Sequence, residues 1–193
     1  MIFMLAKSKD NGNINTLLVG LNELITNQGR GLEARDVLNL VDFFLVKSPR
    51  SFEGAKKSSA QTLVLNSKNW KRTEILDEIK KTLFDGKITF CTDQDNLLAK
   101  AKKEGIYFDL RIKRAKIQAF LLQEKKGKSI EDKGNCFFRH LRNALAHGSI
   151  FKLGHGKFLF LDRAEGNKGE ITAYIITTPL RLDSLRANLQ RGR

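Results

Sequence analysis

Apolar residues recur at the spacing of an α-helix along most of this chain, and the pattern changes to a strand-like alternation only after Gly148. Two prolines in 193 residues force few helices to stop. Helices are predicted over residues 17–25, 32–46, 75–84, 107–126 and 131–146. A further helix is predicted to begin at a cap, either Asp93 or Asp95, and to run to Ala101. Residues 88–91 are predicted to be a short extended piece.

The pattern after Gly148 is typical of a β-hairpin. Residues 151–163 and 170–178 alternate as two strands, and the loop between them contains glycines and an asparagine. Leu182, Leu185 and Leu189 then predict a short last helix. The predicted fold is mainly α: a helical bundle with one C-terminal hairpin, at about 151–178, and a short last helix.

The length favours one domain over residues 1–193, although two small domains remain possible. We expect a helical N-terminal part, residues 1–90, and a part from residue 93 to 193 that includes the hairpin. The polar stretch 50–69 is the best linker candidate.

The predicted helix 107–126 is apolar on two nearly opposite faces, and such a helix must bury both of them. We therefore expect it either to lie at the centre of the bundle or to meet a second subunit. One face has Phe108, Ile112, Ala115, Ala119 and Leu122, and the other has Leu110, Ile117 and Leu121.

The net charge of +14 predicts a polyanionic partner. Nucleic acid, an anionic membrane surface and an acidic protein are the candidate classes, beside a basic surface without a specific partner. The charge is concentrated in residues 100–133, where 11 basic and 5 acidic residues leave a net +6. Arg111 and Arg114 in this stretch are candidate contacts to RNA phosphates.

No apolar run is long enough to span a bilayer, and the first residues lack the pattern of a signal peptide. Cys91 and Cys136 form no CxxC pair, and the three histidines make no zinc pattern with them. The two cysteines are expected to be reduced thiols, with a disulfide as the alternative. We expect a cytoplasmic protein with no membrane partner, no cofactor and no metal.

The densest polar cluster lies in the sequence CFFRHLRNALAHG, residues 136–148. At about 100° per residue on a helix, Phe137, Leu141 and Ala144 stack on one side, flanked by Phe138 and Leu145, and form the core face. The opposite arc has Arg139, His140, Asn143 and His147.

These residue types suit cleavage of a phosphodiester without a metal. Histidine can take or give a proton near neutral pH, and arginine matches a phosphate with its forked donors. Helix geometry poses one difficulty, because Arg142 and His147 are five positions apart and point about 140° away from each other. His147 next to Gly148 could also simply complement the helix dipole.

Residues 137–148, FFRHLRNALAHG, resemble the signature of the HEPN superfamily, in which an arginine and a polar residue precede a histidine by a few positions. Arg142, Asn143 and His147 match that signature, whereas Arg139 and His140 lie outside it as expected site neighbours that contact substrate. The likeness is closest to a small bacterial branch in which FRHLRNAxAHG is followed by a hairpin. It is sharp over residues 137–148, moderate through Leu185 and weak before Lys100.

The resemblance implies a helical bundle, frequently dimeric, in which two copies of the motif meet across the dimer interface in one composite cleft. It also implies a metal-independent endoribonuclease, a toxin or phage-defence effector with a possible antitoxin partner. Its attacking group is the RNA 2′-hydroxyl, so the products carry a 2′,3′-cyclic phosphate. Such domains also serve as non-catalytic modules that bind RNA or a protein, which is the main alternative. A third interpretation is a basic DNA-binding protein, but the sequence has no recognisable helix-turn-helix or zinc pattern to support it.

Overall fold

A five-stranded mixed β-sheet organises the part of the protein that the computed structural model describes, which is residues 33–47, 49, 70–107, 112, 116–164 and 169–191. Its strands lie in the order β1-β2-β7-β6-β5. β1 and β2 are parallel, and the other neighbours are antiparallel. The strands are β1 (Ile88–Cys91), β2 (Gln118–Leu122), β5 (Ile150–Lys152), β6 (Phe158–Arg163) and β7 (Ile171–Thr177), and a separate small hairpin joins β3 (Lys125–Lys126) to β4 (Ser129–Ile130).

Helices cover both faces of this sheet. They are α1 (Ala34–Leu40), which continues into a π-helical turn (Val41–Val46), α2 (Arg72–Phe84), α3 (Gln94–Lys103), α4 (Lys133–Ala146) and α5 (Pro179–Arg191). One core cluster joins α1, α2, α4 and α5 to the face that carries Ala119, Phe160 and Ile175. A second cluster joins α3 to the opposite face, which carries Phe120, Leu159 and Tyr174. The alternation of neighbouring residues between the two clusters is that of strands buried on both sides.

The fold is α/β, so the predicted helical bundle with a single C-terminal hairpin is wrong. The largest error is the predicted helix 107–126. Residues 118–122 of that segment form β2, and residues 125–126 form β3. Ile117 and Leu121 pack in the first cluster, whereas Phe120 and Leu122 pack in the second. The two apolar faces therefore belong to a strand between two helical layers of the same chain, which removes this argument for a second subunit.

The second error concerns the C-terminal hairpin. The stretch 151–163 is split into β5 and β6, which pair with each other, and β7 then joins β6 to β2. The two predicted strands are thus part of one sheet together with β1 and β2, because the apolar residues on both of their faces need cover.

Other predicted elements are confirmed. The helices around 34–46, 72–84 and 133–146 form, and Ile88–Cys91 is a strand. Asp93 caps α3 by accepting a hydrogen bond from the Asn96 amide at 2.8 Å, and Asp132 caps α4 in the same way from Asn135 at 2.9 Å. The predicted helix 17–25 and the linker 50–69 lie outside the described residues.

Within the described ranges, no helix has the length and apolar character needed to cross a membrane.

Candidate functional site on helix α4

Helix α4 forms where the sequence predicts it and packs on the sheet through the residues predicted to be core. Phe137, Phe138, Leu141, Ala144 and Leu145 are all buried. The helix ends at Ala146, and His147 is its C-cap residue. Gly148 follows with a φ of +61°, which is accessible to glycine at little cost.

The histidine at the centre of α4 is wholly buried. His140 is 0% exposed, and its Nδ1 lies 2.6 Å from Oδ2 of Asp162, which is 2% exposed on β6. Its other nitrogen, Nε2, lies 2.8 Å from the backbone carbonyl of Leu122, at the end of β2. His140 therefore links α4 to two strands and is not presented to a substrate at the surface.

Both ring nitrogens of His140 have hydrogen-bond partners. Nε2 lies between the Leu122 carbonyl, which can only accept, and Nη2 of Arg139 at 3.2 Å, which can only donate. Oδ2 of Asp162 also accepts from the Asn143 amide at 3.3 Å and from the Thr172 hydroxyl at 3.1 Å. Oδ2 of Asp162 is therefore the atom that joins His140, Asn143 and Thr172.

A β-bulge brings Thr172 to this carboxylate. Asp162 pairs with Ala173, but the next residue, Arg163, pairs with Ile171, so Thr172 is the extra residue of β7. The bulge lets the Thr172 hydroxyl reach the face of the sheet on which α4 packs.

Arg139 is engaged by acidic residues next to the small hairpin. Its Nε and Nη2 bind the two carboxylate oxygens of Glu131 at 2.9 and 2.8 Å, and Nη2 also donates to the Leu122 carbonyl at 3.1 Å. Glu124 lies 3.3 Å from Nε. These donors of Arg139 are used inside the protein, so its geometry is that of an anchor between α4 and the hairpin.

The ion pair changes the acidity of both partners. Burial alone would raise the pKa of Glu131, but the hydrogen bonds and charge of Arg139 outweigh burial and hold the pKa below its ordinary value. Burial alone would lower the pKa of Arg139, and the carboxylate of Glu131 raises it instead.

None of the three residues that match the motif is fully buried. Arg142 is exposed, and Asn143 and His147 are half-buried. Asn143 and His147 are successive-turn neighbours, and the His147 amide donates to the Asn143 carbonyl at 2.9 Å. Arg142 points to a different side of the helix, as the spacing predicts. The structure thus brings Asn143 to Asp162 and keeps Arg142 accessible.

Arg111 and Arg114, the candidate contacts to RNA phosphates, lie outside the described residues. Cys91 and Cys136 are buried free thiols. Burial raises the pKa of both, which makes each a poor nucleophile. In the described segments, no group of three or more histidine, cysteine or acidic side chains is arranged to hold a metal.

The residue that the sequence interpretation missed is Asp162. It follows Phe158 and Phe160 at the two-residue spacing of a strand, and both phenylalanines belong to the cluster that α4 covers. An aspartate at the next position of that series is therefore expected to face the core, where it needs a partner. The alternation in β6 thus contained a signal for a buried carboxylate opposite α4.

Comparisons of the chain with protein-family models, with curated proteins and with solved structures find no match.

Proposed function

We propose that this protein is a metal-independent endoribonuclease of the cytoplasm, and that its reacting groups are Arg142 and His147 on α4. The observation that carries the proposal is that His140 and Asn143 fix α4 to Asp162 of the sheet, while no residue of the motif is fully buried. Arg142 is exposed, and Asn143 and His147 are half-buried.

The charge and the motif support the same proposal. A net charge of +14 favours a polyanionic substrate. The charge alone indicates no particular reaction, whereas the match of residues 137–148 to the HEPN signature indicates cleavage of RNA. Because the fold is not the expected helical bundle, the proposal rests on α4 and its polar residues rather than on the architecture.

The proposed chemistry requires two proton transfers and one displacement. The 2′-hydroxyl loses its proton and attacks the adjacent phosphorus, and the bond to the 5′-oxygen breaks as that oxygen gains a proton. His147 carries out one of the two transfers, and Arg142 binds the phosphate and stabilises the charge that develops on it. The products carry a 2′,3′-cyclic phosphate and a 5′-hydroxyl, and DNA, which lacks the attacking group, is not cut.

We further propose a homodimer, because Arg142 and His147 point to different sides of one helix. Two copies of α4 then contribute the arginine and the histidine of one cleft. In this arrangement a neutralising partner, such as an antitoxin, would act by covering the cleft or by preventing dimer formation.

The first test is cleavage of labelled total RNA in EDTA by the wild type, His147→Ala and Arg142→Ala. We expect each substitution to lower the rate about 10²-fold or more, because each removes a group that acts on the reacting phosphate. The matched controls are His155→Ala, an exposed turn histidine, and Arg35→Ala, an exposed arginine on α1. Both controls are expected to cleave as the wild type does.

Arg142→Lys refines this test, because lysine keeps the charge but loses the forked donors. An intermediate rate is expected. Cleavage that needs Mg²⁺, or equal cleavage of DNA, would contradict the mechanism. RNA binding without cleavage by the wild type would favour a non-catalytic binding module.

A further inference from the structure

Asp162 binds two residues of α4 through one oxygen atom. Its Oδ2 accepts hydrogen bonds from His140 Nδ1, Asn143 Nδ2 and Thr172 Oγ1 at 2.6, 3.3 and 3.1 Å. His140 and Asn143 are three positions apart, so they lie one above the other on α4. The carboxylate on β6 therefore holds two successive turns of the motif helix.

This contact determines which way the Asn143 amide points. Nδ2 of Asn143 donates to Oδ2 of Asp162, so the NH₂ end of the amide faces the carboxyl group. The carbonyl end, Oδ1, is then the end that points elsewhere, on the helix position one turn before His147. Without the carboxylate, the amide could turn over and present its donors instead.

Stability alone is a poor explanation for this arrangement. A buried polar pair gains little over apolar side chains of the same size, because both groups lose their hydration. The second oxygen of Asp162, Oδ1, is buried and accepts no hydrogen bond within the described residues, which adds a further cost. A carboxyl group that is kept at such a cost next to Asn143 points to a role in orienting the motif residues of α4.

We infer that Asp162 is the positioning residue of the site: it sets the orientation of the Asn143 amide and, through His140, the rotation of α4 that presents Arg142 and His147. This inference rests on the proposed function. Asp162 does not touch the substrate, so its loss changes the geometry of the reacting groups and leaves their chemistry intact.

The test compares two isosteric substitutions of the acidic residues that bind α4. Asp162→Asn removes the carboxylate that Asn143 contacts, and Glu131→Gln removes the carboxylate that Arg139 contacts. Both variants are expected to lose thermal stability. Asp162→Asn is expected to lower kcat about 10- to 100-fold with KM within about threefold of the wild type, whereas Glu131→Gln keeps kcat within about threefold. A loss of kcat that simply follows the loss of stability in both variants would overturn the inference.

A second measurement does not depend on catalysis. The side-chain amide protons of Asn143 are followed by NMR in the wild type, Asp162→Asn and Glu131→Gln. The proton that faces Asp162 is expected downfield and slow to exchange in the wild type and in Glu131→Gln, and shifted in Asp162→Asn. If these signals are solvent-like in the wild type, the positioning role is wrong, and this readout requires no substitution to fold. If they behave as expected but the wild type does not cleave RNA, the proposed function is wrong and the positioning geometry stands.

Discussion

The polar residues of α4 differ in their availability to a substrate because some of them are bound to acidic residues inside the protein. His140 and Arg139 come from the same polar arc as Asn143 and His147, and the sequence treats all four alike. The structure separates them, because His140 binds Asp162 and Arg139 binds Glu131. Arg142 is exposed and His147 is half-buried, and both match the motif, which is why they are the residues proposed to react.

The lowered pKa of Glu131 leads to a prediction at this scale. A carboxyl whose pKa in the folded protein lies below its unfolded value of 4.5 stabilises the protein above that pH, and the stabilisation is lost as the pH falls through the folded pKa. Glu131→Gln is therefore expected to cost about 1–3 kcal/mol at pH 7, and the difference from the wild type is expected to shrink as the pH falls below 4.5.

Urea unfolding at pH 7 and at successively lower pH measures this difference directly. Glu170→Gln, on an exposed glutamate, is the matched control and should unfold as the wild type does at pH 7. A Glu131→Gln difference that is equally large at neutral and acid pH would contradict the argument.

At the scale of elements, β2 decides the fold class. Its sequence, QAFLL, is apolar on both sides, and the same composition fits a helix buried on two faces or a strand buried on two faces. The structure resolves this choice because β2 pairs with β1 on one edge and with β7 on the other. Hydrogen bonds to two distant segments depend on the tertiary structure, so the periodicity within residues 107–126 cannot predict them.

Phe120 distinguishes the strand from the predicted helix, since it belongs to neither apolar face of that helix. In the structure it is buried between β2 and α3. Phe120→Ala is therefore expected to cost about 3–5 kcal/mol of unfolding free energy. Phe151→Ala on the edge strand β5, where the side chain is 42% exposed, is the matched control, with an expected cost of about 1 kcal/mol or less. Equal and small costs, measured by chemical denaturation, would place Phe120 outside the core.

At the scale of the whole molecule, the sheet provides the rigid support on which the proposed site is built. α4 contacts β6, β2 and β7, and the ring nitrogens of its buried His140 reach Asp162 on β6 and the Leu122 carbonyl at the end of β2. A net charge of +14 acts over longer distances and specifies no geometry. In the proposed function, α4 therefore provides the specific chemistry, and the basic charge provides non-specific affinity for a polyanion.

The proposed dimer is tested by mixing two inactive variants. If Arg142 of one subunit acts with His147 of the other, a heterodimer of Arg142→Ala and His147→Ala contains one intact cleft. Random exchange makes half of the dimers mixed, each with one of two clefts active, so about a quarter of the wild-type activity is expected. The activity should fall on dilution below the dimer dissociation constant. A mixture as inactive as its components, although light scattering shows a dimer, would mean that the two residues act within one chain.

The sequence by itself determined the local elements: a helix capped at Asp93 or Asp95, the core face of α4, its end before Gly148, and the strands at 88–91 and around 158–177. These depend on residues a few positions apart, so periodicity and capping chemistry are sufficient to predict them. Tertiary structure alone decided that residues 118–122 join a sheet and that Asp162 meets His140 and Asn143. The partners in those contacts are about 20 to more than 50 positions apart in the chain, and such distant segments meet only when the whole core packs.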